Sequence, residues 1–183
     1  PSTDTPAIKS LYAEIGRHSR RQTHTASHYQ LPPGDTLLIK QLAKITQDLG
    51  TPANVDEILV THGAQQAISL ALRAITVPGD IVAVESPCYF GNLLLLESLG
   101  LEVLEIPSCD YQGMDPLALE SALAKWDVKV ILVTPNFTNP SSAVMPLERR
   151  KQLLSVSGTI PIIEDDVFGA LSFSSPIPSL RAL

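Results

Sequence analysis

The sequence has few cysteines, few basic residues and no long apolar run. Its two cysteines, Cys88 and Cys109, are too few for a disulfide framework and favour a reducing compartment. Thirteen lysines and arginines against nineteen acids give a net charge of −6, which makes this stretch a poor ligand for nucleic-acid phosphates. No apolar run approaches the ~18 residues of a membrane span. No charged stretch followed by an apolar stretch is found, so no signal peptide is predicted. These features predict a cytoplasmic chain without a membrane partner.

A regular alternation of apolar runs and amphipathic segments is present instead. Helices are predicted at Ala7–Arg21, Thr36–Leu49, Ala64–Ala74, Gly91–Leu99, Leu117–Ala124 and Leu147–Val156. Strands are predicted at Ile58–Thr61, Ile81–Glu85, Glu102–Ile106, Val130–Thr134 and Ile160–Glu164. This alternation predicts an α/β fold with a mainly parallel sheet and helices on both faces. Residues 1–28 are polar, and we predict a peripheral N-terminal segment there.

Three short motifs follow predicted strands, where parallel α/β proteins bind ligands. Gly63 with Ala64 and Gln65 opens a helix whose free N–H groups could hold an anion, although a glycine in such a turn is more often structural. Tyr89 could stack on a flat ligand or fill the top of the sheet. Asn139 could donate to a ligand oxygen or belong to a turn.

A fourth motif, Glu164-Asp165-Asp166, closes the last predicted strand. Its acids could bind magnesium, pair with a protonated ring nitrogen of a cofactor, or cap the next segment. Magnesium would need acids at neighbouring strand ends, where Glu85 is the only obvious one, so no metal is predicted. An anion cradle, a stacking face, an amide and a carboxylate together fit an aromatic, phosphorylated cofactor, and pyridoxal phosphate is the natural candidate.

From about Tyr29 to its last residue the sequence resembles the fold-type-I, pyridoxal-phosphate-dependent aminotransferases of class I and II. More closely, it resembles the aminotransferase-like domain of MocR-type regulators in the GntR superfamily. The resemblance is carried by Gly63-Ala64-Gln65-Gln66-Ala67, Pro78-Gly79-Asp80, Glu85-Ser86-Pro87-Cys88-Tyr89, Asn139-Pro140, Met145-Pro146-Leu147-Glu148-Arg149-Arg150 and Glu164-Asp165-Asp166-Val167-Phe168-Gly169. It implies that residues 29–183 are part of an aspartate-aminotransferase-like large domain.

The resemblance also implies roles for individual residues. The N–H groups of Ala64 and Gln65 would bind the cofactor phosphate, and Tyr89 would stack on the pyridine ring. Asn139 would hydrogen-bond the ring hydroxyl oxygen, and Asp165 would pair with the pyridinium nitrogen. Tyr29 would reach the phosphate bound by a partner subunit, which implies a homodimer.

Three positions depart from the enzymes of this family. Phe168 stands where a tyrosine usually donates to the ring hydroxyl, which removes a hydrogen bond worth about 1 kcal/mol. Ala64 replaces a residue that often bears a hydroxyl, and Asn139-Pro140 is followed by Ser141-Ser142 instead of a small residue and glycine.

The family's Schiff-base lysine is expected beyond Leu183, since no lysine of this chain lies at a matching position. Covalent attachment of the cofactor at the family position, and therefore transamination, is not expected of the chain as it stands. We also expect a sheet edge left unpaired by this early end to promote self-association.

Two functions follow from the resemblance. The main one is a domain that senses pyridoxal phosphate or an amino-acid-like effector in a GntR/MocR-type transcription regulator, in which a separate N-terminal domain contacts DNA. The alternative is a fragment of an aminotransferase acting on an amino acid and a 2-oxo acid. A third interpretation, an α/β nucleotide- or metal-binding domain that uses the acidic triplet, would leave Tyr89 and Asn139 without a role.

Overall fold

The computed structural model describes residues 5–21, 29–109, 111–174 and 177–183. Within these ranges the α-helices are α1 (Pro6–Arg21), α2 (Thr36–Asp48), α3 (Ala64–Ile75), α4 (Phe90–Ser98), α5 (Pro116–Leu123) and α6 (Leu147–Ser157). The strands are β1 (Ile81–Ser86), β2 (Glu102–Cys109), β3 (Gly113–Met114), β4 (Val128–Val133) and β5 (Ile162–Glu164). Short 3-10 turns lie at Val55–Glu57, Gly169–Leu171 and Leu180–Ala182.

The described strands form a sheet in the order β3-β2-β1-β4-β5. β1 pairs in parallel with β2 and with β4, and β4 pairs in parallel with β5. The two-residue β3 pairs with β2 in the antiparallel direction. The predicted α/β fold with a mainly parallel sheet is therefore confirmed.

Two apolar clusters cover the two faces of the sheet. On one face, Ile68 and Leu72 of α3 and Leu96 of α4 pack against Val82 and Val84 of β1. On the other face, α5 and α6 pack against the sheet through side chains that include Leu119 and Leu153. Residues 82–85 of β1 and 130–133 of β4 are buried without interruption, as expected for parallel strands covered on both sides.

The order of the strands creates a crevice between β1 and β4. The chain leaves β1 through α4 to reach β2 on one side, whereas β4 on the other side is entered from α5, which packs on the opposite face. The carboxyl ends of β1 and β4 therefore meet at a topological switch point, the usual ligand position in such sheets.

The predicted strand Ile58–Thr61 is wrong. Ile58 has extended backbone angles, φ −105° and ψ 122°, but the segment does not join the described sheet. The N–H of Val60 instead donates to the carbonyl of Pro33 at 2.9 Å, and Val60 packs against Gly34. Extended local geometry becomes a strand only when a neighbouring backbone supplies a hydrogen-bond ladder.

The remaining elements agree with the predictions to within a few residues. β3 was not predicted, because two residues carry no periodicity, and β5 begins at Ile162 rather than Ile160. None of the described side chains of α1 is buried, while part of the predicted segment 1–28 lies outside the described residues. In the described part of the chain, no helix combines the length and the apolar character needed to cross a membrane.

Candidate functional site

The predicted site residues follow the carboxyl ends of three adjacent strands and begin a helix. Tyr89 lies three residues after β1 and is the N-cap of α4. Asn139 lies in the loop after β4, and Asp165 directly follows β5. Because β1, β4 and β5 are neighbours and parallel, the structure brings these three positions to one edge of the sheet.

The first turn of α3 supplies the predicted anion-binding groups. Gly63 has a φ of +96°, and a Cβ at this position would have no atom within 4 Å. The N–H of Ala67 donates to the carbonyl of Gly63 at 3.2 Å, so the N–H groups of Ala64 and Gln65 precede the first intrahelical bond. Both residues are exposed, which leaves these N–H groups accessible to a phosphate.

A side-chain hydrogen bond joins the first turns of α3 and α4. Gln65 Nε2 donates to Oδ1 of the buried Asn92 at 2.8 Å. The bond connects residues 27 positions apart in sequence. It therefore holds the first turn of α3 beside the helix that begins after Tyr89.

The ring of Tyr89 lies directly over the backbone of Gly91. A Cβ at Gly91 would collide with Cε1 of Tyr89 and would lie 2.7 Å from Cζ. The Tyr89 and Phe90 ring centroids are 4.9 Å apart and the rings are tilted by 56°. Glycine at position 91 is thus required for this ring position, and Tyr89 is half-buried.

Asp165 is a half-buried acid at the end of β5. Its N–H donates to the carbonyl of Val133 at 2.9 Å, which extends the β4–β5 ladder. Burial raises the pKa of Asp165, the N–H of Val167 opposes this effect, and the charge of Asp166 adds to it. None of the described basic groups contributes to the shift.

The neighbouring acids point to an internal arginine instead. Glu164 Oε1 lies 4.0 Å from Arg150 Nη1 and accepts the N–H of Leu180 at 3.0 Å. Asp166 Oδ1 accepts Nδ2 of Asn136 at 2.7 Å, and Asn136 Oδ1 accepts Arg150 Nη2 at 2.5 Å. Because side chains alternate along a strand, Glu164 and Asp166 lie on the side of Arg150, whereas Asp165 lies on the opposite side.

Arg150 and Glu85 are two buried charged residues to which no role was assigned. Arg150 is 0% exposed, and its position on α6 could have been found because it shares the buried face with Leu153 and Ser157. Glu85 is 1% exposed near the end of β1, and its position in the sequence indicates only a possible metal ligand. Among the described residues no group of three His, Cys, Asp or Glu side chains could hold a metal ion.

Three predicted residues have few contacts within this chain. Asn139 is exposed in its loop, and Phe168 is 39% exposed just before the turn at Gly169–Leu171. Tyr29 is 101% exposed, so its described surroundings do not connect it to the strand ends.

A cavity of about 820 Å³ lies on the other side of β5. Its wall includes Leu49, Phe137, Leu154, Ile162 and Glu164. None of Ala64, Gln65, Tyr89, Asn139 and Asp165 lines it. The candidate cofactor site therefore lies outside this cavity, although Asp166, the neighbour of Asp165, lines it.

A mainly parallel sheet, two helix N-termini and a carboxylate beyond the strand ends are features of an aminotransferase-type domain. The chain matches the family model for aminotransferase class I and II over residues 3–183. It belongs to that family.

Two transcriptional regulators resemble the chain. It is 39% identical over 180 residues to the uncharacterised HTH-type transcriptional regulator YjiR of Escherichia coli K12, covering 97% of this chain and 38% of that protein. It is 33% identical over 166 residues to the vitamin B6 salvage pathway transcriptional repressor PtsJ of Salmonella typhimurium LT2, covering 89% and 37%. The chain thus spans well under half the length of these relatives.

A solved enzyme structure shares the fold. The kynurenine aminotransferase of Pyrococcus horikoshii superimposes with a TM-score of 0.85 at 31% identity, covering 95% of this chain and 45% of that one. That enzyme was crystallised in complex with PMP, the amine form of pyridoxal phosphate. The predicted family, fold and cofactor class are therefore confirmed, whereas the roles of the individual site residues remain predictions.

Proposed function

We propose that the chain is the pyridoxal-phosphate- or effector-sensing part of a GntR/MocR-type transcription regulator. The observation that carries the proposal is the 39% identity to an HTH-type regulator across 97% of this chain, against 31% identity to the aminotransferase structure. The similarity to a repressor named for vitamin B6 salvage supports a pyridoxal-type effector. DNA would be contacted by a separate N-terminal domain, because this chain has a net charge of −6.

The geometry at the strand ends supports a cofactor-binding role. The free N–H groups of Ala64 and Gln65 would hold the phosphate, and the Tyr89 ring would cover one face of the pyridine. Asp165 would keep the ring nitrogen protonated, and Asn139 would donate to the ring oxygen. When bound, pyridoxal phosphate supplies an electron-withdrawing ring and an aldehyde that reacts with amines.

The same proposal extends to assembly and location. The fully exposed Tyr29 would reach the phosphate of a partner subunit's cofactor, so we propose a homodimer. Phe168 would border the ring without the hydroxyl that a tyrosine would add. An amino-acid-like effector and a cytoplasmic location belong to the same proposal.

The test uses the full-length protein that contains this chain. Pyridoxal phosphate is titrated by absorbance, and the affinity for DNA from the protein's own promoter region is measured with and without it. The proposal expects saturable cofactor binding that changes DNA affinity. Asp165→Asn should weaken cofactor binding, whereas Asp127→Asn, an exposed acid paired with Lys129, should leave it unchanged.

The alternative function, an aminotransferase fragment, is favoured by the TM-score of 0.85 to an enzyme. Amino-group transfer from amino acids to 2-oxo acids is measured on the same full-length preparation. Amino-group transfer without DNA binding would favour the aminotransferase function over the regulator function. DNA binding that responds to pyridoxal phosphate without turnover would exclude the enzyme.

A further inference from the structure

Glu85 occupies the crevice where β1 and β4 separate. The two strands are paired up to Val84 and Leu132, and Thr134 is the first residue after β4. Oε1 of Glu85 accepts the N–H of Thr134 at 2.7 Å. A buried side chain thus continues the hydrogen bonding between the strands beyond the point where their backbones diverge.

The residue held by Glu85 begins the loop that carries Asn139. The carbonyl of Thr134 accepts the hydroxyl of Thr138 at 2.7 Å, and Thr138 is only 2% exposed. The N–H of Thr138 donates to the carbonyl of Ala143 at 3.1 Å, and its carbonyl accepts the N–H of Ser142 at 2.6 Å. Thr138, the residue before Asn139, is therefore buried and hydrogen-bonded to both ends of the loop.

The second carboxyl oxygen of Glu85 has a different environment. Oε2 is buried without a hydrogen-bond partner and lies near Gly113, where a Cβ would come within 3.8 Å of it. Asp165 and Cys88 are electrostatically coupled to this carboxyl. Burial raises the pKa of Glu85 to about 7, against the opposing effect of hydrogen bonds from Thr134 and Thr138. An oxygen without a partner costs less in a neutral acid than in an ion.

Arg149 and Arg150 donate hydrogen bonds to backbone carbonyl groups. Arg149 Nη1 donates to the carbonyl of Gly113 at 3.2 Å, and Arg150 Nε donates to the carbonyl of Met145 at 3.0 Å. Neither arginine is among the causes of the shift at Glu85. Among the described residues, no cation contributes to stabilising the charged form of this carboxyl.

We propose that Glu85 is a positioning residue that fixes Thr134 and through it the Asn139 loop. The anchoring of the loop depends only on these contacts, while its importance for cofactor binding rests on the proposed function. Ionisation is costly for a buried carboxyl near Asp165, so loss of the proton favours opening of the loop that returns Glu85 to water, although the hydrogen bond from Thr134 opposes this effect.

The test measures amide hydrogen exchange in this chain at pH 6 and pH 8, corrected for intrinsic rates. Glu85→Leu removes the acceptor and should speed exchange in residues 134–143 about tenfold at pH 6, with no such change in α6. Glu85→Gln keeps an acceptor oxygen without a titratable proton. It should resemble the wild type at pH 6 and, unlike the wild type, show no further loosening at pH 8.

Two further measurements separate the possible failures. Thr138→Val removes only the hydroxyl and should loosen the same segment, which keeps the test valid if Glu85→Leu does not fold. Equal exchange in residues 134–143 of the wild type, Glu85→Gln and Thr138→Val at both pH values would overturn the proposal. Cofactor affinity is measured in parallel, so a chain that loosens as expected without binding pyridoxal phosphate would contradict only the proposed function.

Discussion

Replacing Arg150 tests the internal network that supports the end of β5. The guanidinium is fully buried and donates to the carbonyl groups of Met145 and Pro178 at 3.0 Å and to Asn136 Oδ1 at 2.5 Å. Its Nη1 lies 4.0 Å from Oε1 of Glu164, and burial lowers its pKa while the two acids around Asp165 oppose this.

Arg150→Met leaves several buried acceptors without donors and removes the cation paired with Glu164, which keeps only backbone N–H donors. Removing one partner of a buried ion pair typically costs about 3–5 kcal/mol, a large part of the stability of one domain. Arg150→Lys keeps the charge but lacks the planar fork of donors, so a smaller loss of about 1–3 kcal/mol is expected.

The assay is urea unfolding followed by circular dichroism at pH 7, with the free energy of unfolding extrapolated to water. Lys151→Met is the matched control, because Lys151 follows Arg150 in α6 but makes an exposed ion pair with Glu148. The control should unfold like the wild type. An Arg150→Met variant within about 1 kcal/mol of the wild type would refute the assignment of a supporting role to this network.

Three further predictions concern the strand ends. The pKa of Glu85 rises from 4.5 to about 7 on folding, so its contribution to stability is largest below pH 4.5 and falls by on the order of 3 kcal/mol as the pH rises through 7. The free energy of unfolding of Glu85→Gln should lack this decline. Parallel pH profiles of the free energy of unfolding for the wild type and Glu85→Gln would contradict the prediction. Gly91→Ala should displace the Tyr89 ring and shift the aromatic NMR signals of Tyr89 and Phe90, whereas Gly16→Ala, where a Cβ meets nothing closer than 3.6 Å, should not. Asp165→Asn should weaken pyridoxal phosphate binding about tenfold or more, measured by absorbance titration, and unchanged affinity would remove Asp165 from the proposed site.

Much of the fold could be predicted because its determinants are local. The apolar periodicity of α2 and the uninterrupted apolar runs of β1 and β4 identify a helix and two buried parallel strands without any tertiary information. The acids that end β5 and the glycine before α3 could likewise be assigned to one edge of the sheet, since all carboxyl ends of parallel strands meet there.

The failures have a common physical origin in partners distant along the chain. Ile58–Thr61 has the composition of a strand, but Val60 bonds to Pro33 rather than to a strand. The pairing of Gln65 with Asn92 spans 27 residues, so no local pattern indicates it. β3 exists only because β2 offers it an edge.

By itself the sequence determined the class of fold, the family and the types of group at the strand ends, since these depend on composition, spacing and order. The tertiary structure decided which charged side chains are buried and with which partners. Glu85 and Arg150 are ordinary charged residues in the sequence. Only folding removes them from water, leaving one with an oxygen that lacks a partner and the other bonded to carbonyl groups. Burial and pairing arise from chain segments far apart in sequence, and this is why they could not be read from the order of residues.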